Sequence, residues 1–262
     1  MIMTHKIQIA MATTTKEFPV RVPYTTNPNM SRNGGAVFNK TPNLDYLSAK
    51  SEELAKHGDL LYATTQEADI NHLVIKASRY CEFQETDKIE ELTLGLEEDI
   101  AIIHQGMLAA ICFCFPSSWV PRERIGMSLA NIHAPVADGE RLVKASQQIA
   151  NTIADVKQGS FRRSIWTITN NSNLSQLPKT KSQQVPNSID DLYFRTEVQT
   201  TAPLGDNKTS LFFVKVEMTP LSDLWNSVEQ RNTIVESVNS MSDAVLDYKN
   251  LHHIKTLINN AE

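Results

Sequence analysis

Cysteine is scarce in this chain, with three residues, Cys81, Cys112 and Cys114, in a length of 262. An odd number without framework spacing argues against a disulfide-stabilised secreted protein. Cys112 and Cys114 lie in an apolar stretch, and alternate residues of a strand face the same side. No further Cys/His pair stands nearby at zinc-ligand spacing. The sequence therefore favours two small buried apolar side chains over metal ligands.

An excess of positive charge is also missing. Lys and Arg number 25 against 30 Asp and Glu, which gives a formal net charge of -5 and a pI near 5.8. No cluster of basic residues is interleaved with aromatic ones, as a nucleic-acid surface would require. Nucleic-acid binding is therefore not predicted.

Long apolar runs are absent too. A membrane-spanning helix needs roughly 20 apolar residues, and the best candidate, residues 107–115, is shorter and typical of a buried strand. The N-terminus shows no clear secretory signal. These absences predict a cytoplasmic protein without a membrane partner.

Several catalytic motifs do not occur. The sequence has no glycine-rich phosphate loop, no Gly-x-Ser-x-Gly turn and no His-Glu-x-x-His pair. It gives no indication of a nucleotide-binding site, a serine hydrolase of that type or a zinc protease.

What the sequence does contain is a series of helical and strand patterns. Residues 1–42, rich in Thr, Asn and Pro, predict an extended arm, and residues 43–262 predict a single domain. Helices are predicted from Asn43 to Gly58, over 67–83 and 139–159, and in two pieces near the C-terminus. One hairpin is predicted to turn at residues 104–106, a strand to cover 162–170, and a second hairpin to turn at 205–208.

Strands joined by turns beside packed helices predict an α+β fold with an antiparallel sheet. The polar segment 178–191 is predicted to be a surface loop.

Three polar residues alternate along one predicted strand. Arg195, Glu197 and Gln199 would point to one side of the sheet, and Phe194 and Val198 to the other. Spacing alone favours a face in water. The alternative is the wall of a polar pocket, where Glu could accept a proton or bind a cation and Arg could hold an anion.

Two further positions allow two interpretations each. His133 has apolar neighbours and is followed by Pro135, which predicts a rigid loop carrying a half-buried imidazole. Such a ring could be an iron ligand, although composition favours a hydrogen-bonded core histidine. Arg163 could be solvated or could bind a propionate, and Trp166 is predicted to be a core residue.

Six segments occur in a fixed order that resembles the haem-dependent oxidative N-demethylase family, over about residues 19–251. The segments are "LEEDIAII", "CFPSSWVPRERIGMSLANIHAPV", "RRSIW", "LYFRTEVQTTAPL", "LFFVKVEMTPL" and "LDYKNL". The resemblance implies a PAS-like antiparallel sheet around haem b. It also implies O2-dependent demethylation of a small secondary methylamine to formaldehyde and a primary amine. Electrons would come from a separate flavin/iron–sulfur reductase.

The resemblance also implies roles for particular residues. His133 becomes the axial iron ligand, with Arg163, Trp166 and Gln199 as further haem-binding candidates. Glu197 and Arg195 become the catalytic candidates.

The chain departs from the family pattern at Ile165, where Asn is usual, and at Val198, where Arg is usual. Residues 201–203 replace a Leu-Arg-Arg run. These departures keep a second hypothesis open, a haem-binding PAS-like sensor or carrier without turnover.

Overall fold

The computed structural model describes residues 18–67, 69–178 and 185–261. These residues contain a seven-stranded antiparallel sheet and helices, which confirms the predicted α+β class. The strands are β1 Ser31–Arg32, β2 Tyr62–Thr64, β3 Asp99–His104, β4 Met107–Cys112, β5 Phe161–Thr169, β6 Tyr193–Pro203 and β7 Thr209–Pro220. The helices are α1 Leu44–Leu61, α2 Ile70–Tyr80, α3 Ile89–Leu94, α4 Leu129–His133, α5 Glu140–Ala154, α6 Leu221–Trp225, α7 Val228–Asn239, α8 Asp243–Lys249 and α9 His252–Asn260.

The sheet order is β1-β5-β6-β7-β3-β4-β2, and both predicted hairpins are present. Gln105 and Gly106 connect β3 to β4 with φ values of 51° and 79°. Positive φ at both positions suits a two-residue hairpin turn. His104, which the prediction placed in the turn, is the last residue of β3.

Helix α1 begins where the sequence predicts, because the Asn43 side chain accepts a hydrogen bond from the Asp45 amide at 2.8 Å. Its predicted end at Gly58 is wrong. The helix continues to Leu61, and a non-helical residue, His57, marks a kink instead.

The predicted two-piece C-terminal tail is also wrong, because four helices, α6 to α9, occupy it. The side chains of Ser227 and Ser242 accept N–H bonds from Gln230 and Val245, so a new helix begins after each serine. Asn250 then ends α8 in the left-handed conformation, with φ 55°. None of the helices in the described ranges is long and apolar enough to cross a membrane.

The predicted N-terminal arm and the predicted loop are described in part. In residues 18–42, β1 is the regular element, and it pairs with β5. Residues 1–17 of the predicted arm and 179–184 of the predicted loop lie outside the described residues.

The two faces of the sheet differ. One, the polar face, carries Arg163 of β5 together with Arg195, Glu197 and Gln199 of β6. On the other face, Trp166 stacks on Phe194 with ring centroids 5.4 Å apart. The C-terminal helices pack against that second face in a single apolar cluster.

Helices α4 and α5 pack on the polar face at its β3–β7 side. Ile103, Leu129, Ala150 and Ile153 form a buried cluster there, with Phe212 against it. His133, the last residue of α4, is thereby placed over the same side of the sheet. The three cysteines are buried thiols, which confirms the predicted burial of Cys112 and Cys114.

A buried ion pair joins α1 to the start of β3. Lys50 and Asp99 are both fully buried, and Lys50 Nζ lies 3.4 Å from Asp99 Oδ1. Lys50 Nζ also donates to the backbone carbonyls of Leu96, at 2.9 Å, and Glu98. Asp99 Oδ2 accepts the Phe115 amide at 2.9 Å, so the pair also holds the chain after β4.

Replacing Lys50 by Met should lower the free energy of unfolding by about 3–5 kcal/mol, because Asp99 would be left buried without its cation. Urea unfolding at pH 7 measures this. The matched control is Lys40→Met, which removes an exposed pair with Glu82 and should cost about 1 kcal/mol or less. Equal effects of the two substitutions would contradict the structural role given to Lys50.

Candidate functional site

The β6 residues of the polar face are mostly buried, so the expectation that they lie in water is wrong. Arg195 is 1% exposed and Gln199 is 7% exposed, while the Glu197 side chain is 16% exposed. The chain after β4 and the segment before residue 178 cover this face, and their backbone contacts Arg195. The alternation itself is confirmed, because Phe194 and Val198 point to the opposite side.

Arg195 is fixed by hydrogen bonds to three separate oxygen atoms. Its Nε donates to Ser117 Oγ at 2.8 Å. Its Nη1 donates to the Leu174 carbonyl at 2.6 Å and its Nη2 to the Phe115 carbonyl at 2.8 Å. The guanidinium therefore joins two covering segments to β6.

Glu197 and Gln199 continue this network toward β5. The Glu197 carboxylate accepts hydrogen bonds from Ser117 Oγ and from Gln199 Nε2 at 3.1 Å. Gln199 Oε1 accepts from Arg163 Nε at 2.6 Å. Arg195 and Arg163 thus lie at the two ends of one hydrogen-bonded chain across two strands.

Arg163 is half-buried, and no carboxylate of the described residues forms an ion pair with it. Its Nη1 donates a long bond, 3.5 Å, to the Pro28 carbonyl. Desolvation lowers the pKa of Arg163, and the nearby Glu197 opposes that shift. Beside it, Ile165 is 38% exposed and lies opposite Glu197 in the strand register.

His133 ends a helix, and the predicted rigid loop at this position is wrong. Ser128 caps α4 by accepting the Asn131 amide at 3.2 Å, and the short helix brings His133 within 2.7 Å of the Leu129 carbonyl. Since a carbonyl can only accept, His133 Nδ1 carries the proton and Nε2 keeps a lone pair.

The environment of His133 favours its neutral form. Desolvation is the larger cause that lowers the pKa of His133, and the Arg163 charge lowers it further. A neutral imidazole whose second nitrogen donates to a carbonyl is the usual form of a histidine metal ligand.

Trp166 does not join these residues. It lies three positions from Arg163 on β5 and therefore on the opposite face, where it is 6% exposed and packs on Phe194. Its predicted place in the core is confirmed. The structure brings together the other five predicted site residues.

Sequence reasoning missed Ser117, Tyr24, Tyr248 and Lys249. Ser117 and Lys249 belong to quoted segments that resemble the family, but no local periodicity distinguishes them. Lys249 Nζ donates to the Trp166 carbonyl at 2.9 Å and lies 5.5 Å from the centre of the Tyr24 ring. These contacts place Lys249 and Tyr24 beside β5. Burial raises the pKa of Tyr248, and the charge of Glu197 raises it further.

The chain is an α+β protein with a partly covered polar face, and His133 lies over the same side of the sheet. The model of a known family, described as haem-dependent oxidative N-demethylase, alpha subunit-like, matches residues 50–258. The chain belongs to this family, as the sequence predicted. A haem-dependent, oxidative N-demethylase-like function follows in general terms. A comparison with curated proteins gives no match.

The polar face fits a haem. The porphyrin supplies four nitrogens, so the iron needs a single axial side chain; within the described residues, no group of three or more His, Cys, Asp or Glu could hold a metal ion. His133 offers an imidazole Nε2 lone pair, and Arg163 offers a cation without a carboxylate partner. Ile165 adds exposed apolar surface for a ring to cover.

The pKa of His133 should lie below its ordinary value of 6.5, and Arg163→Gln should raise it by removing a like charge. Because the folded-state pKa is below the unfolded one, the neutral ring stabilises the fold above pH 6.5. That contribution is lost as the pH falls through 6.5 and below. Nitrogen-15 NMR titration measures both the pKa and the Nδ1–H tautomer.

The matched control is Arg162→Gln, which changes the neighbouring exposed arginine on the other face of β5. It should leave the pKa of His133 unchanged. If Arg163→Gln and Arg162→Gln behave alike, the charge of Arg163 does not act on His133 in solution.

Proposed function

We propose that this chain binds haem b through His133 and demethylates a small secondary methylamine to formaldehyde and a primary amine. One O2, two electrons and two protons are consumed, and water is the third product. The electrons come from a separate flavin/iron–sulfur reductase. Within this proposal the domain over residues 43–262 is PAS-like, and the protein works in the cytoplasm.

The observation that carries the proposal is the state of His133. Its Nδ1–H is held by the Leu129 carbonyl at 2.7 Å, which fixes the ring orientation and leaves Nε2 for a ligand bond. When bound, the haem supplies the activation of O2 and the oxidation of the substrate methyl group.

Glu197 is proposed to hold the substrate ammonium. A carboxylate offers about four acceptor sites, and the contacts with Ser117 and Gln199 use two of them. Its side chain is partly accessible, and Ile165 and Val216 lie opposite it in the adjacent strands. These apolar neighbours would surround the substrate methyl groups and keep water away from the charge.

Arg195 is proposed as a positioning residue and not as one that contacts substrate. Its donors hold Ser117 and two backbone carbonyls, and its Nε lies 3.8 Å from Glu197 Oε1. It would hold Ser117 in place, and through Ser117 the Glu197 carboxylate. Arg163 and Gln199 remain the haem-binding candidates, whereas Trp166 is left out because it lies on the other face.

One observation favours the second hypothesis of a haem-binding sensor or carrier without turnover. Glu197 already has a cation beside it, Arg195, so its charge is partly compensated before any substrate binds. Turnover separates the two functions, since both require the same haem ligand.

Added hemin should give the wild-type protein a Soret band that shifts on reduction and again with carbon monoxide. His133→Ala should weaken hemin binding by at least about 10-fold, because it removes the axial ligand. The control His72→Ala changes an exposed histidine on α2 and should bind hemin as the wild type does. An unchanged spectrum in His133→Ala would contradict the ligand assignment.

With a reductant, O2 and a panel of methylamines, the haem-loaded wild type should release formaldehyde. Glu197→Gln should lower kcat/KM by about 10- to 150-fold, the loss expected for one hydrogen bond to a charged group. The control is Glu229→Gln, at an exposed position of α7. Formaldehyde from none of the amines, with the haem spectrum intact, would favour the sensor.

A further inference from the structure

Lys249 has an unusual environment for the last residue of a helix. Its Nζ does not extend into solvent but turns to the edge of β5, where it donates to the Trp166 carbonyl at 2.9 Å. The same ammonium lies 5.5 Å from the centre of the Tyr24 ring. No carboxylate of the described residues forms an ion pair with it.

Arg163 lies on the same strand as Trp166, three residues earlier. Its charge acts on the Tyr24 phenol strongly enough to oppose the rise in pKa that burial causes there. Like Lys249, Arg163 has no ion pair with a carboxylate among the residues that the structure describes. Two cations without a carboxylate ion pair among the described residues therefore lie beside β5, and both interact with Tyr24.

Desolvation acts on both cations. Burial lowers the pKa of Lys249 to about 8 and lowers that of Arg163 as well. In each case the carboxylate that opposes the shift is Glu197, which is itself engaged by Ser117 and Gln199. At pH 7 Lys249 is still mostly protonated, so both groups carry their charge.

Two partly desolvated cations without an anion are unfavourable, because a charge taken out of water needs a partner. A ligand with two carboxylates would provide both partners. The planar guanidinium can bind one carboxylate with two parallel hydrogen bonds, and the ammonium binds as a point charge.

We propose that Lys249 and Arg163 bind the two propionate carboxylates of the haem beside β5. This inference rests on the proposed function and adds a residue, Lys249, that has no role in it so far. The propionates would then be held beside β5 by these two residues.

A structural role for Lys249 has to be separated from carboxylate binding, since its bond to the Trp166 carbonyl also joins α8 to β5. The dimethyl ester of hemin makes the separation, because it keeps the iron and the ring and lacks both negative charges. Titrations followed at the Soret band give the dissociation constants of hemin and of the ester. The variants are Lys249→Met and Lys249→Arg, with Lys157→Met as a control at an exposed lysine.

The wild type should bind hemin more tightly than the ester. Lys249→Met should weaken hemin binding by about 10-fold or more, the loss of one charge-assisted hydrogen bond, and leave ester binding within about 2-fold. Lys249→Arg should keep most of the preference for hemin, and Lys157→Met all of it.

Two other outcomes overturn the inference and differ from each other. If Lys249→Met changes the binding of hemin and of the ester equally, or changes neither, Lys249 does not bind a propionate, and haem binding through His133 stands. If the wild type binds neither ligand, the proposed function fails together with the inference.

Discussion

The candidate site depends on the hydrogen bonds made by the guanidinium of Arg195. This group joins strand β6 to the carbonyls of Phe115 and Leu174, and its third contact is the Ser117 hydroxyl. Three parts of the chain that are distant in sequence meet at this one planar group. Since all three hydrogen bonds are made by a charged donor in a buried setting, each is stronger than a neutral bond. The position of Glu197 follows, because Ser117 binds it from the other side.

A second constraint is the arrangement of charge on the polar face. Arg195 lies beside Glu197, so the positive charge at that end of the hydrogen-bonded chain has a negative charge next to it. The opposite end, with Arg163 and Lys249, carries positive charge without an ion pair among the described residues. Arg163 is also the charge that helps to keep His133 neutral. A negatively charged cofactor with a central iron matches both features, since its carboxylates meet the cations and its metal needs a neutral imidazole.

Membership of a haem-dependent N-demethylase family therefore agrees with the structure of this chain. It also agrees with one position at which the chain departs from the family pattern. Ile165 stands where the family usually has Asn, and it is exposed on the polar face opposite Glu197. An apolar side chain there gives a ring or a methyl group a surface to cover. Val198, the other departure within a strand, points to the opposite face and away from the site.

The sequence by itself determined the local elements and the alternation on β6. Hairpin turns and helix caps such as Asn43 depend on neighbours along the chain. So does the period of two, which places Arg195, Glu197 and Gln199 on one side of the sheet. Only the tertiary structure decided whether that side is exposed to solvent. Its burial comes from contacts such as the one between Arg195 and Ser117, 78 residues apart. The same holds for the tautomer of His133, the hydrogen bonds of Glu197 and the position of Lys249 beside β5. Each depends on tertiary contacts, which the local sequence pattern does not indicate.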